Sequence, residues 1–176
     1  MILRGKDQYL DHIISGTRED YEFQIFDFCY TLGKTDPKYP TTTYNEEFTE
    51  TICCLKKKGK TLPHFYMLTN SLIRTDVGFI PKVKEYTDVD LVKINNDRET
   101  VVVKTRNEDE ILDFFDLPKT EALKTKIRDN FIYEGKGEYL LVAYLDLMSI
   151  KERLELLDNA VKMYEILWET ELRKGF

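Results

Sequence analysis

Two carboxylates and a lysine stand close together in residues 87–106, TDVDLVKINNDRETVVVKTR. Asp88 and Asp90 alternate along a β-rich run, so on a strand both project from one face while Val89 and Leu91 take the other. Paired acids of this kind hold divalent cations that activate an attacking hydroxyl and neutralise phosphate charge, so Asp88 and Asp90 are candidate ligands for Mg2+ or Mn2+. Lys104 stands in the second run of the same hairpin. The plainer role for such a residue is an edge-strand charge that discourages further strand pairing.

Asp88-Val89-Asp90-Leu91-Val92 resembles the metal-binding strand of polymerase-β-type nucleotidyltransferases. That resemblance implies a Gly-Ser turn upstream and a third acid from a later strand. Asp146, at the end of a predicted strand, is the third-acid candidate, but Asn70-Ser71 lacks the glycine of the turn and Gly78-Phe79 lacks the serine. The hairpin with Val102-Val103-Lys104 also resembles the core of PD-(D/E)XK-type nucleases, with Asp90 as first ligand and Lys104 as the lysine. There the carboxylate two residues before the lysine is replaced by Val102, and Glu99 falls on the opposite pleat.

Other chemistry is thinner. Gly59-Lys60-Thr61 invites comparison with a phosphate-binding loop, but Cys54 occupies the earlier glycine position and a predicted helix precedes it. Lys56, Lys57, Lys58 and Lys60 therefore read as a cluster complementing a helix end, with a phosphate or acidic-partner patch at Lys56, Lys57 and Lys58 as the functional alternative. His12 and His64 have no partner at zinc-ligand spacing. Cys29, Cys53 and Cys54 lie in apolar patterns where inert packing is the default. Tyr30, Tyr39, Tyr44, Phe65 and Tyr66 fall in or near predicted loops and are candidates for a binding surface.

The elements that must position these groups come from patterning. The 176 residues suffice for one domain with a substantial core. A net charge of -6 supplies no basic field for nucleic acid. The longest apolar run, residues 139–145, is far too short for a bilayer-spanning helix, and Arg4, Lys6 and Asp7 stand where a secretory signal would be apolar. Three cysteines make a disulfide framework improbable, so a cytoplasmic setting is expected. The Lys, Tyr, Thr and Ile usage with eight glycines suits an AT-rich genome, such as that of a phage or mobile element.

Periodicity predicts helices over residues 6–15, 17–32, 43–58 and 63–77, the second and third from capping boxes at Thr17 and Thr43 and the fourth from Pro63. Residues 90–94 and 100–105 form one predicted hairpin, and residues 131–134 and 138–145 form another across Gly135-Lys136-Gly137. Short helices are expected after Asn107 and over residues 120–129. Ser149 with Glu152 starts a last helix running to about residue 174. The expected fold is α+β: a mainly helical half over residues 1–76, two hairpins forming a small antiparallel sheet within residues 77–148, and the long helix over residues 149–176.

Leu157, Val161, Tyr164 and Trp168 make an apolar stripe on that helix, read as a homodimer seam. The chain is accordingly expected to be a non-catalytic inhibitor or modulator that binds a protein or ribonucleoprotein, with no cofactor and no membrane partner. The alternatives are a metal-dependent nucleotidyltransferase-like protein using Asp88, Asp90 and Asp146, and a degenerate nuclease using Lys104.

Overall fold

The computed structural model describes residues 6–35, 38–39, 41–69, 72, 86–94, 99–128 and 130–169. The predicted half, residues 1–76, is not mainly helical: its described residues between 6 and 69 supply four long strands. They are β1 (Lys6–Arg18), β2 (Tyr21–Thr35), β3 (Thr43–Lys56) and β4 (Leu62–Thr69). After them come β5 (Thr87–Ile94), β6 (Glu99–Thr105), α1 (Glu108–Phe114), α2 (Leu117–Leu123), β7 (Phe131–Gly137), β8 (Tyr139–Tyr144) and α3 (Ile150–Glu169). All eight strands join one antiparallel sheet in the order β1-β2-β3-β8-β7-β4-β6-β5.

The helical reading of β2 and β3 failed because each buries apolar side chains on both faces of the sheet. In β2, Tyr21, Phe23 and Ile25 face the helices, and the alternation then changes phase, so that Phe26, Phe28 and Tyr30 pack on the opposite face. Each half keeps the period of two, but the phase change mimics an i, i+4, i+7 stripe. Strand β3 repeats the effect, with Phe48 and Ile52 on one face and Cys53 and Leu55 on the other. Pro63, expected to open a helix, sits in β4 at a register shift between Leu62 and Phe65, where a missing N–H interrupts no regular ladder.

Local signals in the second half survive. Both hairpins form, β5 with β6 and β7 with β8, although β4 stands between them in the sheet. Residues 95–98, between β5 and β6, lie outside the described residues. Gly135 belongs to β7 rather than to a turn, and a Cβ there would lie 2.4 Å from the Phe65 ring. The turn is made by Gly137, at φ +57, and Glu138. Asn107 caps α1, its Oδ1 accepting from the Glu110 N–H while its side-chain amide donates to the Glu110 carboxylate, and Ser149 and Glu152 cap α3 as a reciprocal capping box.

Helix α3 crosses the sheet beside α2 and covers the apolar face of β3 and β8. Tyr21 meets Tyr164 edge-on, and the Asn159 amide donates to the Tyr133 hydroxyl at 3.4 Å. A buried ionic tie anchors the N-terminal turns of α3. Arg153 pairs with Asp27 Oδ2 at 2.6 Å, both side chains being buried. The Thr51 hydroxyl donates to Asp27 Oδ1 at 3.0 Å, and His12 Nδ1 lies 2.9 Å from Oδ2, where a protonated nitrogen donates to the carboxylate. Arg153 also donates to the Met148 and His12 carbonyls, and the Met148 N–H donates to Thr51 Oγ1. Removing one member of such a pair strands the other charge, whereas replacing both with apolar groups of similar volume costs less. Asp27→Ala and Arg153→Met should each cost about 3 to 5 kcal/mol. In urea unfolding, Asp27→Leu combined with Arg153→Met should lose less than the sum of the single changes.

On the far face, Glu50 is buried and accepts a 2.6 Å hydrogen bond from the Tyr30 hydroxyl. Burial pushes its carboxyl up to about 7, against the smaller opposing effect of Tyr30. The folded chain therefore holds this proton more tightly than the unfolded one. The resulting stabilisation is full below the unfolded value and disappears as pH rises through about 7. Relative to Glu50→Gln, the wild-type chain should lose about 2 to 3 kcal/mol between pH 5 and pH 8, read from urea melts at both pH values.

Candidate functional site

The sequence candidates occupy the β5 edge. Asp88 stands opposite Lys104 in the β5–β6 register, and the two side chains pair at 2.6 Å. Asp90 is exposed opposite Val102, just before a bulge between Asp90 and Val92. Asp146 follows β8, four places away in the strand order, or about 19 Å at ~4.8 Å per strand. Its carboxylate accepts from the Leu147 N–H instead. Asp88 and Lys104 are thus brought together, and Asp146 is not brought to them. Among the described residues, no group of three or more His, Cys, Asp or Glu side chains is placed to hold a metal ion. Residues 70–71 and 78–79, considered for the nucleotide turn, lie outside the described residues.

The row containing Asp88 and Lys104 continues across the sheet on the face away from the helices. From Lys104 it passes to Tyr66, Glu134, Leu141, Cys54, Gln24 and Ser15, each opposite the next. Its centre is a polar cluster that sequence spacing did not reveal. Glu134 is buried, with His64 Nε2 3.5 Å from Oε1. The His64, Tyr66 and Tyr86 rings pack with centroids 5.5 to 6.1 Å apart, and Arg106 lies over Tyr86. The Tyr66 phenol is held far above its ordinary range, first by burial and then by Glu134 and Tyr86. His64 is shifted down, chiefly by burial, which favours the neutral ring against the pull of Glu134. The Cys54 thiol is pushed up to about 11, again mainly by burial and then by Glu134, so it is an inert thiol rather than a nucleophile. Imidazole, phenol and carboxylate together could share a proton.

The Tyr66 hydroxyl is buried without reaching hydrogen-bond geometry with a neighbour. Tyr66→Phe should therefore leave stability unchanged or raise it by up to about 1 kcal/mol in thermal and urea unfolding.

The lysine cluster follows a strand, not a helix end. Lys57 lies over the Tyr21 ring and pairs with Asp20, Lys56 lies near Glu22 and Tyr139, and Lys60 lies over Trp168. Of the three proposed patch residues, Lys58 is the exposed one, at the β3–β4 turn. The α3 seam is also spent within the chain: Leu157, Val161 and Tyr164 are buried in its own core, and Trp168 packs against that core. On α3 the exposed large apolar residues are Ile150 and Leu154. Of the aromatic candidates, Tyr39 and Tyr44 are exposed, whereas Tyr30, Phe65 and Tyr66 are buried in the sheet.

The two edges of the sheet differ in kind. Edge strand β5 presents Asp88, Asp90 and Lys93. Edge strand β1 presents Tyr9, Leu10, Ile13 and Ile14 at 59%, 49%, 56% and 43% exposure. A shallow cleft of about 490 Å³ opens beside β1, lined by Ser15, Thr17, Gln24, Cys54, Lys56 and Tyr139. In the sequence this strip is two apolar pairs around Asp11-His12, a spacing that also fits one face of the helix predicted over residues 6–15. No helix among the described residues is long and apolar enough to cross a membrane. Protein-family models, curated proteins and solved structures were compared with the chain, and none matches.

Proposed function

We propose that this chain is a non-catalytic protein that works by docking another polypeptide along β1. The observation that carries the reading is the run of four large apolar side chains, each between 43% and 59% exposed, on an edge strand. Edge strands offer unpaired backbone donors and acceptors, which an extended polypeptide can satisfy while its side chains cover the apolar strip. The opposite edge follows the protective pattern, with charges of both signs on β5 and an ion pair to β6. The separation of Asp146 from Asp88 and Asp90 weighs against the three-carboxylate alternative.

Affinity capture from the native host tests this with two variants that circular dichroism shows to be folded. Ile13→Lys with Ile14→Lys should lose the captured polypeptide, at least about tenfold in yield. Asp88→Ala with Asp90→Ala should retain it. The opposite pattern would overturn the reading.

A further inference from the structure

The segment Tyr9-Leu10-Asp11-His12-Ile13-Ile14 presents nearly the same chemistry from either end: two apolar residues, an acid beside a base, two apolar residues. Laid antiparallel against itself, it sets Tyr9 opposite Ile14, Leu10 opposite Ile13 and Asp11 opposite His12. Apolar side chains then meet apolar side chains, and no like charges oppose each other. Shifting by one residue sets Lys6 against Arg18 and Asp11 against Ile13, which loses both advantages.

In an uninterrupted strand this register would be forbidden. Tyr9 and Ile14 are an odd number of residues apart and would project from opposite faces, whereas residues paired across two antiparallel strands of one sheet share a face. The bulge in β1 removes the conflict. Tyr9 stands opposite Cys29 and Ile14 opposite Ile25, positions on β2 that share the helix-bearing face. Asp11 stands opposite Asp27, and the His12 ring reaches Asp27 as well, so acid and base lie on that face together. His12, at φ 48, is where the alternation breaks. By strand alternation from Ile14, Ile13 falls on the opposite face, which is also the face of Leu10, opposite Phe28. All three proposed pairs are face-matched because of the bulge.

Resting on the reading of β1 as a docking edge, we infer that its occupant is β1 of a second copy of this chain. The two sheets join about a two-fold axis normal to them, with the helices of both copies on one side. Arg153, bonded to the His12 carbonyl, and Arg18, paired with Asp158, brace β1 against α3 on either side of Ile13 and Ile14. Six residues a side make a contact smaller than the roughly 1,200 Å² of a standard interface, so the dimer is concentration-dependent.

Mixed-chain cross-linking tests the register. Leu10→Cys chains mixed with Ile13→Cys chains, and Tyr9→Cys mixed with Ile14→Cys, should form covalent dimers on mild oxidation. One mixture at least should exceed either of its components alone by about fivefold, because the two neighbouring pairs alternate between hydrogen-bonded and non-hydrogen-bonded sites. Light scattering across a dilution series should show the wild-type mass rising towards two chains, and Ile13→Lys should raise the dissociation constant at least about tenfold. Mixtures that cross-link no better than single variants, or a dimer indifferent to Ile13→Lys, would overturn the inference. A chain that is monomeric throughout yet loses its captured polypeptide in the Ile13→Lys, Ile14→Lys variant also overturns it, while leaving the docking-edge reading intact.

Discussion

The Asp27 carboxylate is the point at which the separate parts of this molecule are tied together. It receives Thr51 from the neighbouring strand, His12 from the edge strand and Arg153 from α3, and it is buried. An ionised group in that position is tolerable only while its partners are all in place. The α3 helix thereby gains a fixed starting point: Arg153 holds Asp27, while the Met148 backbone completes the ring through Thr51 and Arg153. From there α3 can bury Leu157, Val161 and Tyr164 against the sheet instead of presenting them outward. The same tie gives β1 a firm hold despite its irregular pairing, because His12 contributes both its ring and its carbonyl.

The two faces of the sheet then divide the work. The helix-bearing face carries the larger apolar core, and the other carries a second apolar layer into which Glu50 and Glu134 are inserted. Each of these acids has a strand side chain beside it: the Tyr30 hydroxyl donates to Glu50, and the His64 imidazole lies 3.5 Å from Glu134. Their conformational effect is to fix register: a slip of one residue would move each acid into the core of the opposite face.

What was legible in the sequence was local. Ser149 with Glu152 and Asn107 with Glu110 marked helix starts because capping is decided within four residues, and the β7–β8 hairpin was marked by its glycines. Strands β2 and β3 resemble helices in sequence because each buries apolar side chains on both faces, and the shift of the apolar pattern at Ile25 and Phe26 copies a helical stripe. Thr17 and Thr43 have the residue types of caps but lie in strands, since a cap cannot outweigh the burial gained by long strand pairing. The Asp27 tie and the Glu134 cluster were not legible at all, for they join residues far apart in the chain. His64 had no partner by spacing and acquired one only through the β4–β7 register.

The position of β8 in the strand order has a consequence for how the chain is made. Strand β3 pairs on one side with β2, an immediate neighbour in sequence, and on the other with β8, bringing Thr51 opposite Tyr144. Strand β4, next after β3 in the chain, pairs instead with β6 and β7. During synthesis the β1–β2–β3 meander can close early, but the inner edge of β3, carrying Cys53 and Leu55, has nothing to pair with until β7 and β8 have emerged. Contacts of such long sequence separation place folding in the slow range of roughly milliseconds to seconds. A nascent chain arrested before β8 is therefore a molecule with an unfinished sheet, a substrate for holding chaperones and a seed for aggregation.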